Sequence, residues 1–370
     1  MTSHNYTFDG LNRQFNIYVP TSYNQNSAPL PVIFFLHGLG GNMSNFSGLD
    51  YKAEAEKYIM VIPQAIADKK VGTAWHSGAG VEENGVIYYP NSKVDDVGFI
   101  SSLIDTVSNW YRVDKNRIYS TGFSMGGFMS NRLGCELSDR IAAIASVSGT
   151  IGNEILGSCS PEDIKPILYI HSTSDAIVPY KKNTLGNDAE TFVNFWVANN
   201  GCKAIPDSTD LSNIEDDGYS VMRYRYKNGN SNSDVEFYKL SGPDHNASWY
   251  TSQSGNDFDA IEVIWDFFKK HSNKKVADVE SPNLITNIKN AKSEVYPNPA
   301  SDIITLNFSG NVAVSSIVIS NTLGKTLETK YFDKPIKKSV FDISDKAPGI
   351  YFFQIKDMDG NLSVLRFYKK

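Results

Sequence analysis

The sequence predicts an α/β fold built on a mainly parallel sheet, followed by a small all-β sandwich. Three observations predict it. Short apolar runs without alternation, such as Pro31 to Leu36 (PVIFFL), take turns along the chain with stretches of helical periodicity. That rhythm persists to about residue 271, as a sheet with helices on both faces requires. Beyond residue 294 the texture becomes short polar and apolar alternation broken by Gly, Asn and Asp, which marks antiparallel β structure.

The elements follow in order. Residues 4–9 and 13–20 alternate around Asp9-Gly10, which predicts an opening β-hairpin. Pro31 to Leu36 reads as a strand buried on both faces, residues 50–58 as a helix and Ile59 to Ile62 as a second buried strand. A polar, Gly-rich excursion covers 68–92. Val97, Ile100, Leu103, Ile104, Val107 and Trp110 then recur at helical spacing, placing a helix over 94–111. Asp95 and Asp96 resemble a paired-carboxylate acid/base site, but adjacent side chains diverge, and the start of that helix explains them. Arg117 to Ser120 is a short strand, Met125 to Leu137 a helix, and Ile141 to Val147 and Ile167 to Ile170 are further buried strands. A helix over 188–200, a strand pair at 219–227 and 234–240, and a helix from Phe258 to Lys270 complete a first domain over 1–271. Residues 272–293 are polar without strong periodicity and read as a linker. Strands such as Ile303 to Phe308 and Ser315 to Ser320 belong to a β-sandwich over 294–370.

Composition excludes several classes. With 41% hydrophobic and 21% charged residues, the 370-residue chain is not disordered. Its net charge of −6 is uneven: residues 1–271 carry −10 and the tail is mildly basic. An acidic first domain repels phosphate backbones, so nucleic acid is not an expected partner. No apolar run approaches the ~18 residues needed to span a bilayer. The first twenty residues lack the basic start and apolar core of a signal peptide, which leaves a cytoplasmic protein or one whose leader is missing. Three cysteines, Cys135, Cys159 and Cys202, cannot all pair within one chain. Two readings stay open: buried free thiols, or one disulfide, with Cys159–Cys202 the expected pair. No C-x-x-C or Cys/His cluster points to zinc.

Gly122-Phe123-Ser124-Met125-Gly126 matches G-x-S-x-G, directly after a predicted strand and directly before a predicted helix, the setting of a nucleophile elbow. A serine hydroxyl needs a base to take its proton. Of six histidines, His4 is terminal, His37 ends a buried strand, His76 lies in the polar excursion, His171 closes a strand and His271 abuts the linker. His245 remains, in a loop before the final helix, where a chain order of Ser, acid, His places the base. Asp175 follows the strand Ile167 to Ile170 and suits the orienting acid. Asp244 competes, but a residue adjacent to His245 rarely reaches its ring. Backbone donors for an oxyanion are expected at Met125, just past the serine, and at Leu39, in the Gly-rich loop His37-Gly38-Leu39-Gly40-Gly41.

Five motifs in order, LHGLGGN (36–42), VDDVGFISSLID (94–105), RIYSTGFSMGGFMSNRLGCELSDRIAAIASVSG (117–149), HSTSDAIVPY (171–180) and GPDHNASW (242–249), resemble the polyhydroxybutyrate depolymerase and feruloyl esterase group of α/β-hydrolases, carbohydrate esterase family 1. The resemblance spans roughly residues 5–270. It implies Ser124, Asp175 and His245 as a triad, Leu39 and Met125 as oxyanion donors, and Trp75 and Trp249 as walls of the acyl or sugar pocket. Gly242-Pro243-Asp244 departs from the more Gly-rich turn common before the family's histidine. The tail, opening on Val295-Tyr296-Pro297-Asn298-Pro299 and containing Gly349-Ile350-Tyr351-Phe352, resembles the C-terminal sorting domain of the type IX (Por) secretion system of Bacteroidetes. It implies that secretion machinery as a partner and a secreted or surface-attached protein.

The expectation is therefore a secreted serine esterase acting on feruloyl or acetyl esters of plant polysaccharides. A polyester depolymerase and a non-catalytic surface-binding protein are the alternatives. No metal or organic cofactor and no membrane span are expected.

Overall fold

Asp9 and Gly10 both take positive φ, 48° and 71°, and turn β1 (Thr2–Phe8) back onto β2 (Leu11–Tyr18). This is the hairpin turn that an Asp-Gly pair favours. The structure is a computed structural model describing residues 1–370 except 27, 182, 212–218, 231–232, 247–258, 274–292, 322–325 and 359–361. The chain divides into two units, Met1–Val276 and Ala277–Lys370. The expected linker at 272–293 lies almost wholly outside the described residues.

The first unit continues through β3 (Leu30–Leu36), β4 (Ile59–Pro63), the small hairpins β5 (Ile66–Asp68) with β6 (Gly72–Ala74) and β7 (Val81–Glu83) with β8 (Val86–Tyr88), then β9 (Val113–Phe123), β10 (Ala143–Val147), β11 (Ile167–Ser172), β12 (Asp207–Leu211), β13 (Ser220–Tyr226) and β14 (Val235–Ser241). Ten of these form one sheet in the order β1-β2-β4-β3-β9-β10-β11-β14-β13-β12. The run from β4 to β14 is parallel, and β1, β2, β12 and β13 join it antiparallel at the edges.

Alternation within the apolar runs assigns each side chain to a layer. Val32, Phe34 and Leu36 face one side, where α2 (Asp96–Trp110), α3 (Met125–Glu136) and α4 (Ala189–Asn200) contribute Phe99, Leu103, Met129, Leu133, Phe192 and Trp196. Ile33 and Phe35 face the other, against Ala53 of α1 (Asp50–Glu56) and Ile261, Ile264 and Phe268 of α5 (Ala260–Phe268). Burying each such side chain contributes about 1.5–3 kcal/mol. Asp95 caps α2 by accepting the Gly98 N–H at 2.7 Å. Asp96 pairs with fully buried Arg13 at 2.6 Å and accepts the His76 N–H, so the two carboxylates serve separate structural ends.

The structure departs from the sequence reading in several places, and the excursion at 68–92 carries the short hairpins β5–β6 and β7–β8. The central strand β9 runs over eleven residues, well beyond Arg117 to Ser120. The edge strand β12 (DSTDL) has no apolar alternation, because it pairs on one side only and is largely exposed. The disulfide is Cys135–Cys159, not Cys159–Cys202, so two of the three thiols are not free either. The last turn of α3 brings Cys135 to a Cα separation of 5.0 Å from Cys159 in the loop after β10. Cys202 lies past α4 against the Ser233 carbonyl, 3.4 Å away, and burial pushes its thiol up to about 11.

The bridge closes a loop 24 residues apart in sequence, for which chain entropy gives about 3 kcal/mol. Reductant is therefore expected to lower the denaturation midpoint of the first unit. An unchanged midpoint after confirmed reduction would contradict this.

The second unit holds two antiparallel sheets. One orders β15 (Ser293–Tyr296), β16 (Ile303–Val312) and β19 (Ile336–Asp342); the other orders β18 (Thr326–Tyr331), β17 (Val314–Asn321), β20 (Gly349–Asp357) and β21 (Leu362–Lys369). Ile304, Leu306, Phe308, Ile317, Ile319, Phe341, Phe353, Ile355 and Phe367 form its buried core. Along β16 and β20 buried positions alternate with less buried ones, as expected of sheets buried on one face.

Candidate active site

Ser124 stands between β9 and α3 with φ 55° and ψ −123°, a conformation that costs a non-glycine residue strain. Its N–H is anchored on the Val147 carbonyl of neighbouring β10 at 2.9 Å. A Cβ on Gly126 would run into the Leu36 carbonyl, so glycine alone lets this turn pass against β3. The Met125 N–H opens α3, and the first N–H groups of a helix have no intrahelical partner. This leaves a donor at the positive end of the helix dipole, on the residue directly after Ser124.

The exit of β3 lies against the same turn: a Cβ on Gly38 would sit 3.3 Å from Ser124 Cβ. The Gly38–Gly41 loop is tied down by the Gly40 N–H to the Thr73 carbonyl at 2.8 Å and the Gly41 N–H to the Gly38 carbonyl at 3.0 Å. The Leu39 N–H has no acceptor among the described residues, and its side chain is 44% exposed.

The loops after β11 and β14 bring in two further groups. His245 Nε2 is 2.9 Å from Ser124 Oγ, and His245 Nδ1 is 2.7 Å from Asp175 Oδ2. Asp175 Oδ1 accepts the N–H groups of Ile177 and Val178 at 3.0 and 2.7 Å. Burial pushes the Asp175 carboxyl up, but the His245 ring and the Val178 N–H outweigh it and hold its pKa below the ordinary value. Fully buried His171 faces the Val178 carbonyl through Nε2 at 2.9 Å, and burial lowers its pKa to about 4. A neutral imidazole thus braces the loop that holds the carboxylate.

Ser124, His245 and Asp175, 121 and 70 residues apart pairwise in sequence, form one continuous hydrogen-bonded chain. Such a chain lets an imidazole take a hydroxyl proton while a carboxylate stabilises the resulting cation. Asp244, the competing acid, does other work: its Oδ1 accepts the N–H groups of His245 and Ala176 at 2.7 and 3.1 Å, which joins the two loops.

Trp75 corrects the expectation of a pocket wall. It is 0% exposed, packs on His37 with ring centroids 5.1 Å apart, and donates its indole N–H to the His37 carbonyl at 2.9 Å. Its place is beneath the β3 loop, a role that sequence spacing does not reveal. Trp249 lies outside the described residues. Among the described residues, no group of three or more His, Cys, Asp or Glu side chains stands together as a metal site would require.

The profile of the phospholipase/carboxylesterase family matches residues 22–208, and that of a secretion system C-terminal sorting domain matches 294–366. Feruloyl esterase D of Neurospora crassa is 27% identical over 278 residues, covering 71% of this chain and 83% of that protein. Feruloyl esterase B of Piromyces equi is 30% identical over 207 residues, which cover 52% of this chain but only 37% of that protein. Among solved structures, an acetyl xylan esterase from Aspergillus awamori aligns with a TM-score of 0.48 at 14% identity, over 73% of this chain and 99% of that one. With its parallel sheet and strand-to-helix serine turn, the chain belongs to the phospholipase/carboxylesterase family of α/β-hydrolases and is a carboxylic ester hydrolase that carries a secretion sorting domain.

Proposed function

We propose that the first unit hydrolyses feruloyl or acetyl esters of plant polysaccharides, with Ser124 as nucleophile, His245 as base and Asp175 as its orienting carboxylate. The observation that carries this reading is the unbroken chain from Ser124 Oγ through the His245 ring to Asp175, set on a strained turn. Ser124 Oγ attacks the ester carbonyl as its proton passes to His245 Nε2. The N–H groups of Met125 and Leu39 receive the developing oxyanion. His245 then protonates the departing alcohol, and the same ring draws a proton from water to release the acid from the acyl-enzyme.

Substrate class draws support from two sides. The two relatives above carry the name feruloyl esterase, and a third, from Neocallimastix patriciarum, is called a bifunctional acetylxylan esterase/xylanase. On the molecule itself, Leu39, which carries one proposed oxyanion donor, and Ile177, whose N–H bonds Asp175, are 44% and 62% exposed and offer apolar surface for an aromatic acyl group. A sorting domain for secretion to the cell surface or beyond suits a polymer too large to enter a cell.

A fluorophosphonate probe is expected to add to Ser124 alone, as read by peptide mass spectrometry. Methyl ferulate and acetylated xylan are expected to turn over faster than polyhydroxybutyrate film. Labelling elsewhere would remove the mechanism, and faster release from the polyester would move the substrate class to the depolymerases.

A further inference from the structure

His37 is fully buried and sits one residue before the loop that approaches Ser124. Its ring has three polar neighbours: Nδ1 is 2.8 Å from the Gly38 carbonyl, while Nε2 lies 3.1 Å from the Ala65 N–H and 3.3 Å from Gln64 Nε2. The Ala65 amide is an obligate donor, so Nε2 must be the acceptor. Burial lowers the ring's pKa to about 4, so at neutral pH it carries one proton, and that proton lies on Nδ1. The tautomer therefore follows from the backbone groups on either side.

We propose that His37 is a positioning residue for catalysis, whose Nδ1–H holds the Gly38–Leu39 peptide so that the Leu39 N–H faces the oxyanion. The inference rests on the proposed role of Leu39. In a trans peptide the C=O and N–H point in opposite directions. The Gly38 carbonyl is held from one side by His37 Nδ1 and by the Gly41 N–H, which leaves the Leu39 N–H directed away from them without an acceptor among the described residues. A flip of this peptide would break both bonds and present a carbonyl oxygen where negative charge develops. Glycine at 38 resists such a flip least of all residues, so an external hold is needed there. Trp75 completes the hold by fixing the His37 carbonyl from below.

Losing one oxyanion donor costs about 10²–10³ in kcat. Because the Gly41 bond remains, His37→Phe, which keeps a ring against Trp75 but has no donor, is expected to lower kcat about 10- to 100-fold on a nitrophenyl ester. KM is expected to stay within about twofold, since a ground-state carbonyl gains little from the donor. Affinity for phenylboronic acid, whose Ser124 adduct places an oxygen in the same position, is expected to fall by a similar factor. His37→Asn, with an amide N–H near the place of Nδ1, is expected to recover part of the loss. Counting competent sites with a fluorophosphonate separates this outcome from simple unfolding.

If His37→Phe keeps wild-type kcat and boronate affinity while Ser124→Ala is inactive, the positioning role falls and the triad stands. If Ser124→Ala retains turnover, the reading beneath both falls. Should neither His37 variant fold, the wild-type protein decides: ring ¹⁵N shifts are expected to show His37 protonated at Nδ1, and protonation at Nε2 would overturn the proposal.

Discussion

Ser124→Ala is expected to reduce kcat on a nitrophenyl ester by about 10⁴- to 10⁶-fold, with the fold and KM little changed. Residues that act as a unit show losses of this order when one is removed, and a residue of ~10³-fold catalysis over water survives from the oxyanion donors and binding. Asp175→Asn is expected to cost about 10⁴-fold by a different route. Its Oδ1 could still accept the Ile177 and Val178 N–H groups, so the loop would stay in place. The other end, however, would offer an amide N–H to His245 Nδ1, favouring the tautomer that cannot accept the Ser124 proton. The double variant is expected to be no slower than Ser124→Ala alone, because the second change removes help for a nucleophile already gone. Asp244→Asn keeps an acceptor for the Ala176 and His245 N–H groups and is expected to stay within a few-fold of wild type. Steady-state kinetics measures all four, with active sites counted in the variants that keep Ser124 and folding checked by circular dichroism in those that lack it. An Asp175→Asn loss under tenfold, or an Asp244→Asn loss equal to it, would reassign the acid.

The second large effect is on stability in acid. His37, His171 and His271 are buried, and burial lowers each pKa from 6.5 to about 4. In the unfolded chain they titrate near 6.5. Between those values the unfolded state binds more protons than the folded one, so stability rises with pH and is lost as pH falls from about 6.5 towards about 4. A shift of this size corresponds to an upper limit of about 3 kcal/mol per histidine. Three such groups rival the ~5–15 kcal/mol stability of a typical domain. Asp175, whose folded pKa is depressed, adds stability present above its ordinary value and lost only as pH drops through the lower folded one. Urea midpoints measured from pH 7 down to pH 4.5 are therefore expected to fall steeply, with unfolding inside that window. A flat profile would mean that these histidines are hydrated and charge without cost.

The three site residues the sequence singles out, Ser124, Asp175 and His245, are the ones the fold brings together. Each was legible for a local reason. Ser124 sits in a Gly-flanked junction between a run of strand and a run of helix, and Asp175 and His245 follow the ends of β11 and β14. Trp75 was read differently, because a tryptophan near a loop looks the same in sequence whether it faces a ligand or, as here, supports a backbone carbonyl from below. The cysteine pairing is hidden for a related reason: the sequence does not say which way the end of α3 points, and that direction puts Cys135 beside Cys159.

By itself the sequence determined the order of the main buried strands and the helices between them, the strand-to-helix serine turn and the change to β structure at the tail. These depend on φ/ψ limits and on periods of 2 and 3.6 residues, which act between near neighbours. Only the tertiary structure decided that Asp244 ties two loops while Asp175 meets the imidazole, that His37 is held by a peptide 28 positions away, and that β12 extends an edge. Those outcomes depend on contacts between segments far apart in the chain. Such contacts are fixed by how the whole sheet and its helices pack, and no local pattern records them.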